Sequence, residues 1–482
     1  MHLLSPRRAQ FTMRCVTSLP SDILQLILPH LSPSEKAALA RACKSLHHVA
    51  SVALYGVIVM RWDTGRPTPP PPIHYLLRTL LKHPDLARLV TNLIFLGSKN
   101  DSIWGRGARW HYYPTPDELA PVTTIIRTLD LPEHPPNLFE GPTDDNTWLR
   151  LAARGHTELY QGLLVLQLPN LSTLTVGYDG YMSFTFLSTL MEHILISKIL
   201  SSNAPSFRRL QQVDLCTEPL IREMDSFLAG YQHTLREVLP FFYLPSLRVL
   251  RAVAPWNSQP IVWPTAPPYC QTLVTLQLLR SELEPPVLKQ LLSVTPRLKT
   301  LNYDLVCKTW YQMQNAPYLE CDVLSSALLP VAKSLVSLTI SVQLYGANGT
   351  WYKDPDIMMA IRGLLDFAQL EQIQRLEAPL ILFLGQTSAV NPTLAERLPP
   401  SLRSLFFNDD LALFNAYPWR ATAVLEYFRC IFDRARAFNT GLTDLGLLLR
   451  EFSEDWSDED QAEFRKICHS AGFTSTTHRA LR

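Results

Sequence analysis

LVTLQL at 273–278, PVLKQLL at 286–292 and LKTLNY at 298–303 together form one strand, one helix and the next strand. The first and third pieces share the pattern Leu-x-x-Leu-x-apolar, through Leu273, Leu276 and Leu278 and then Leu298, Leu301 and Tyr303. The last apolar pair alternates as a strand requires, since neighbouring side chains of a strand point to opposite faces. The middle piece is compatible with a helix. Toward the N-terminus the pattern returns at Val90/Leu93/Phe95, Leu171/Leu174/Val176, Leu210/Val213/Leu215 and Leu247/Leu250/Ala252. Toward the C-terminus it returns at Leu335/Leu338/Ile340, Leu402/Leu405/Phe407 and Leu442/Leu445/Leu447. Further helix-compatible segments lie at 184–200, 358–370 and 421–437. Several copies open with Pro-x-Leu, which puts a turn directly before the strand. Such a unit cannot bury its apolar face alone and does so by stacking on its neighbours. Spacings of about 25 to about 40 residues predict an irregular array with long outer helices and insertions.

Composition agrees with this reading. A chain of 482 residues exceeds what one compact core supports, so it divides into domains or extends as an array. With 47% hydrophobic residues and a mean hydropathy of +0.02, wholesale disorder is excluded. The 44 Lys+Arg and 43 Asp+Glu leave a net charge of +1, so no nucleic acid is expected as a partner. Eight scattered cysteines without a C-x-x-C pair read as thiols in a reducing compartment, cytoplasmic and/or nuclear. No apolar run approaches the roughly 18 to 20 residues of a spanning helix, because Glu192 and His193 interrupt the most hydrophobic stretch; membrane insertion is not expected. Residues 1–15 carry Arg7, Arg8 and Arg14 with no acid, and are expected to be a disordered start rather than a presequence.

Between 16 and 62, three short helices are expected. Ile23, Leu26, Ile27 and Leu31 recur at helical spacing, Pro20 suits the start, and Pro29 should end or kink the helix near Leu28. Ser32-Pro33-Ser34-Glu35 then forms a capping box with proline at the first helical position. Ala38, Leu39, Ala42, Cys43 and Leu46 continue the apolar pattern, followed by Val49, Ala50, Ala53 and Leu54. Helices this short draw their stability from packing against something else, so a partner is expected.

Leu19-Pro20, Ile23, Ile27, Leu31, Ala38-Leu39, Cys43-Lys44 and Leu54-Tyr55 resemble an F-box motif over roughly residues 16 to 60. Two departures stand out: Asp22 replaces a common Glu, and Leu46 and His47 stand where an aromatic residue is frequent. The repeating body resembles leucine-rich repeats loosely, since the Asn or Cys expected after each strand is mostly absent. The pairing is similar to divergent fungal F-box proteins. The resemblance implies an α/β chain: a three-helix F-box module followed by an irregular leucine-rich-repeat solenoid. It also implies the substrate-recognition subunit of a cullin-based, SCF-type ubiquitin ligase. A Skp-type adaptor, and through it a cullin, would be held by Leu19, Pro20, Ile23, Ile27 and Leu31, and an unknown protein substrate by the repeats. The competing reading is a leucine-rich scaffold acting outside any ligase.

No enzyme is expected: G-x-x-x-x-G-K-[ST], G-x-G-x-x-G, H-E-x-x-H and G-x-S-x-G are all absent, and no cofactor or metal is implied. His47 and His48 are adjacent rather than i, i+4, so they read as helix-surface residues, and Cys43 reads as a buried structural thiol. Thr64 to Pro72 is proline-rich, so 63–72 is either a linker or a loop interrupting the first repeat. Trp104, Arg106, Arg109, Trp110, Tyr112 and Tyr113 form a candidate partner-binding loop, with a packed cover over the first repeats as the plainer reading. The array is expected over 73–450. An acidic segment and a capping helix follow over 451–482, with Ser457 as the helix cap and Phe464, Ile467 and Cys468 on its apolar face.

Overall fold

The computed structural model describes residues 19–63, 73–98, 113–129, 131, 147–177, 185–200, 207–215, 235–254, 260–309, 319–346, 361–385, 392–411, 419–434, 441–449 and 456–479. Among the described residues twelve strands form one sheet. They are β1 (Val57–Asp63), β2 (Asn92–Ser98), β3 (Thr173–Gly177), β4 (Gln212–Asp214), β5 (Val249–Val253), β6 (Thr275–Ser281), β7 (Thr300–Thr309), β9 (Ser337–Gly346), β11 (Arg375–Pro379), β12 (Ser404–Asn408), β13 (Asp444–Leu449) and β14 (Thr474–Arg479). β8 (Leu319–Glu320) and β10 (Ile361–Arg362) form a separate parallel pair. In the large sheet every pairing is parallel and spatial order follows chain order.

All nine expected copies of the pattern reach the sheet. Its second apolar residue runs as one row across successive strands: Leu93, Leu174, Val213, Leu250, Leu276, Leu301, Leu338, Leu376, Leu405 and Leu445. Each of these is at most 1% exposed. Slipping any strand by one residue would turn its member of the row to the opposite face, so burial fixes the register. Over β3 to β7 the opposite face is polar and half-buried, with Thr175, Asp214, Arg251, Gln277 and Asn302 on it; farther along, the same face is buried at Glu377, Phe406 and Gly446. The row also contains a copy the sequence reading missed, Ile373/Leu376/Ala378 on β11.

Helices fill the connections unevenly. Near the first strands lie α4 (Ile73–Lys82), α5 (Pro84–Ala87), α6 (Pro116–Thr128), α7 (Thr147–Ala153), α8 (Thr157–Leu166) and α9 (Thr185–Leu200). Helices Pro285–Ser293 and Ala421–Arg434 match expected ones. The helix expected at 358–370 is absent from the described part of that range. Gly363, at φ +74°, breaks helical backbone there, and β10 forms instead. The backbone finds distant partners: Leu365 N–H donates to Leu382 O (2.9 Å), Phe367 N–H to Arg397 O (2.9 Å). The Arg397 guanidinium returns bonds to Leu365 O (3.2 Å) and Phe383 O (2.9 Å).

Pro379 closes β11 and leaves a gap in the ladder. Val336 O accepts from Arg375 N–H at 3.1 Å, and a parallel ladder advances two residues per bond, so two steps on Ile340 O would take its proton from residue 379. Proline has none to donate. The end of β12 and the residues after it reach across: Asn408 Nδ2 donates to Ile340 O at 3.0 Å, and Val342 N–H donates to Asp410 Oδ2 at 3.0 Å. Asn408 is 1% exposed, so Asn408→Ala would strand a buried carbonyl and cost about 1–3 kcal/mol. Chemical denaturation is expected to show a lower midpoint with an unchanged slope.

At the C-terminal end the helix Asp458–Ser470 has the expected cap, with Asp460 N–H donating to Ser457 Oγ at 3.1 Å, and it buries Phe464, Ile467 and Cys468. It is not the final element. Gly472, at φ +87°, turns the chain back and β14 forms the last strand of the sheet.

Candidate functional site

The N-terminal helices are α1 (Ser21–Ile27), α2 (Pro33–Ala42) and α3 (Lys44–Tyr55). Pro20 O starts α1 by accepting from Ile23 N–H and Leu24 N–H, both at 3.1 Å. Pro29 stops it: the chain continues as a 3₁₀ turn over Leu28–His30. Seven residues make two turns, too few to stand alone in water, so α1 depends on its packing.

Its apolar residues divide between two faces. Leu24 and Leu28, one helical repeat apart, are 6% and 2% exposed, and α1 with its turn packs on α3, whose Leu46 and Ala50 are buried. Ile23, Leu26 and Ile27 face solvent at 42%, 68% and 41% exposure. Pro20 is exposed beside them, while Leu19 and Leu31 are half-buried. The stripe expected to form one apolar face is thus real but outward, and the inward anchors Leu24 and Leu28 were not singled out in the sequence. Leu26 belongs with the candidate residues; its i+3 spacing from Ile23 is the signal that places it there.

α2 is joined to this surface through its start. Glu35 N–H donates to Ser32 Oγ (3.3 Å) and Ser32 N–H donates to Glu35 Oε2 (2.7 Å), a closed capping box. Hydrogen bonds from the Ser32 side chain and then its backbone hold the Glu35 carboxyl below its ordinary range. A depressed carboxyl pKa stabilises the fold above the unfolded value, and that contribution is lost as pH falls through the folded value. Ser32→Ala is therefore expected to speed amide exchange over 33–42 at neutral pH, with the difference from wild type shrinking in acid.

Between α2 and α3, Cys43 adopts an extended conformation (φ −162°, ψ 162°) and is half-buried, with Sγ 3.0 Å from Ser45 Oγ. This corrects the expectation of a buried thiol: the helical stripe is interrupted at Cys43, so its side chain sits at a junction. His47 Nδ1 lies 3.0 Å from Ala40 O and ties α3 to α2. Leu46, 4% exposed, fills the interior.

The other candidates are separate from this surface. Trp104, Arg106, Arg109, Trp110 and Tyr112 lie outside the described residues; Tyr113 is 71% exposed just before α6. Burial pushes the thiols of Cys270, Cys321 and Cys468 up to about 12, which keeps them protonated and unreactive near neutrality. Among the described residues no three His, Cys, Asp or Glu side chains gather to hold a metal, and no helix is long and apolar enough to cross a membrane.

A family model described as F-box-like matches residues 16–59, which takes in α1, α2, α3 and the first residues of β1. No curated protein matches the chain.

Proposed function

We propose that the F-box-like domain docks a Skp-type adaptor and that the chain is the substrate-recognition subunit of a cullin-based, SCF-type ubiquitin ligase. The observation that carries this reading is the division of α1: Leu24 and Leu28 fasten it to α3 while Ile23, Leu26 and Ile27 remain in solvent. Exposed aliphatic side chains on a helix this short are a cost to a lone module and a gain at an interface. Burying each contributes on the order of 1.5 to 3 kcal/mol before the cost of association.

The body acts in this reading as an irregular leucine-rich-repeat solenoid. Parallel strands in chain order and a continuous apolar row support that architecture. Its polar sheet face, with Arg251 Nη1 3.4 Å from Asp214 Oδ2, is the surface assigned to a protein substrate. The chain works in the cytoplasm and/or nucleus and supplies no catalytic group of its own. Co-expression of the full chain with a Skp-type adaptor, followed by affinity capture and size exclusion, tests the proposal. A stable one-to-one complex is the expected result; separate elution of the two proteins would leave a scaffold outside any ligase as the better account.

A further inference from the structure

β14 ends the sheet without a strand beyond it among the described residues, and its outer edge is equipped to receive one. Thr474 N–H donates to Thr443 O at 2.8 Å, which sets the alternation: Thr474 and Thr476 bond β13, while the N–H and C=O groups of Ser475 and Thr477 point away from it. A row of ladder groups at a sheet edge is a template for an added strand. Beside the start of that edge runs an open groove of about 580 Å³, lined by Arg465, Lys466, His469, Gly472, Phe473 and Ser475 among others.

Its chemistry selects the occupant. Arg465, Lys466 and His469 are exposed along the flank of the last helix, and the Lys466 side chain is 79% exposed. Glu463 is held by Arg429 at 3.0 Å and stands 3.9 Å from Lys466. Threonine and serine dominate β14 itself, so the edge offers main-chain bonds and positive charge but little apolar area. Two copies of the chain meeting here would bring their basic groups together, which disfavours self-pairing.

We propose that the β14 edge and its groove bind an acidic, extended segment of a partner protein, which adds to the sheet as one further strand. Main-chain bonds supply the alignment and the basic flank supplies selectivity. The site is independent of adaptor docking, because β1 and β14 stand about 50 Å apart along the sheet.

Fluorescence anisotropy with the full chain tests it. The probe is a labelled octapeptide alternating glutamate and threonine; one control replaces glutamate with lysine, and another carries N-methyl groups on alternate amides. The acidic probe is expected to bind, more weakly with added salt, and neither control should. The Lys466→Glu, His469→Glu variant should weaken binding about tenfold or more. Thr477→Pro should abolish it, because proline removes only an N–H that points away from β13. Equal binding of the acidic and lysine probes, or undiminished binding by the charge variant, would overturn the proposal. So would sedimentation showing a dimer that Thr477→Pro dissolves, since a second copy would then own the edge. Adaptor capture, run in parallel, should be unchanged in both variants.

Discussion

The Ile23→Asp, Ile27→Asp double variant should lose adaptor capture by at least about a hundredfold while melting like the wild type. Both side chains are more than two-fifths exposed, so their replacement leaves no cavity in the domain. Helix propensity falls by only a few tenths of a kcal/mol per residue. At an apolar interface the same change puts two carboxylates where they have no partner, a penalty of several kcal/mol, and every 1.4 kcal/mol is tenfold in affinity. Leu24→Asp is the informative contrast. It lies one residue from Ile23 but is 6% exposed, so it should unfold the helices as well as abolish capture. Surface plasmon resonance and circular dichroism on the three proteins separate the two losses; undiminished capture by the double variant would move the docking surface away from α1.

Leu301→Ala should destabilise the body by about 2–5 kcal/mol, the range for removing a fully buried leucine side chain. Leu301 is 0% exposed and pairs with Leu276 on one side and Leu338 on the other, so the vacated volume opens onto the middle of the row. Thr300, one residue earlier, faces the polar side half-buried, and Thr300→Ala should stay within about 0.5 kcal/mol. Urea denaturation followed by tryptophan fluorescence reads both. Similar midpoints for the two would mean that the row does not carry the stability assigned to it.

Much of this architecture was legible because one rule repeats. An aliphatic residue three places before an aliphatic strand residue, then an apolar one two later, located nine strands. β11 obeys the same rule with Ile373, Leu376 and Ala378, but it runs into the apolar Leu380–Leu384 helix, where period two is hard to see. β14 was illegible for a different reason: at an edge, Ser475 and Thr477 occupy the positions that elsewhere are leucine or another apolar residue, so no alternation of hydrophobicity marks the strand. At 358–370 the spacing of apolar residues suggested a helix, and backbone bonds to Leu382 and Arg397 overrode it. The candidate surface was legible as a stripe but not in its direction. A short amphipathic helix with apolar residues on two sides does not say which side faces its own domain, and the packing of Leu24 and Leu28 against α3 decides it.

Strand order that copies chain order also governs how this molecule tolerates change in length. Each strand of the large sheet bonds only to strands adjacent in its sequence of strands, so residues gained or lost in one connection leave every other pairing untouched. Within a strand the opposite holds: one residue inserted before Leu276 would rotate the rest of β6 by half a turn and set it against both neighbours. Evolution therefore has a free coordinate and a forbidden one in every unit. Connections can lengthen independently while the sheet keeps its register.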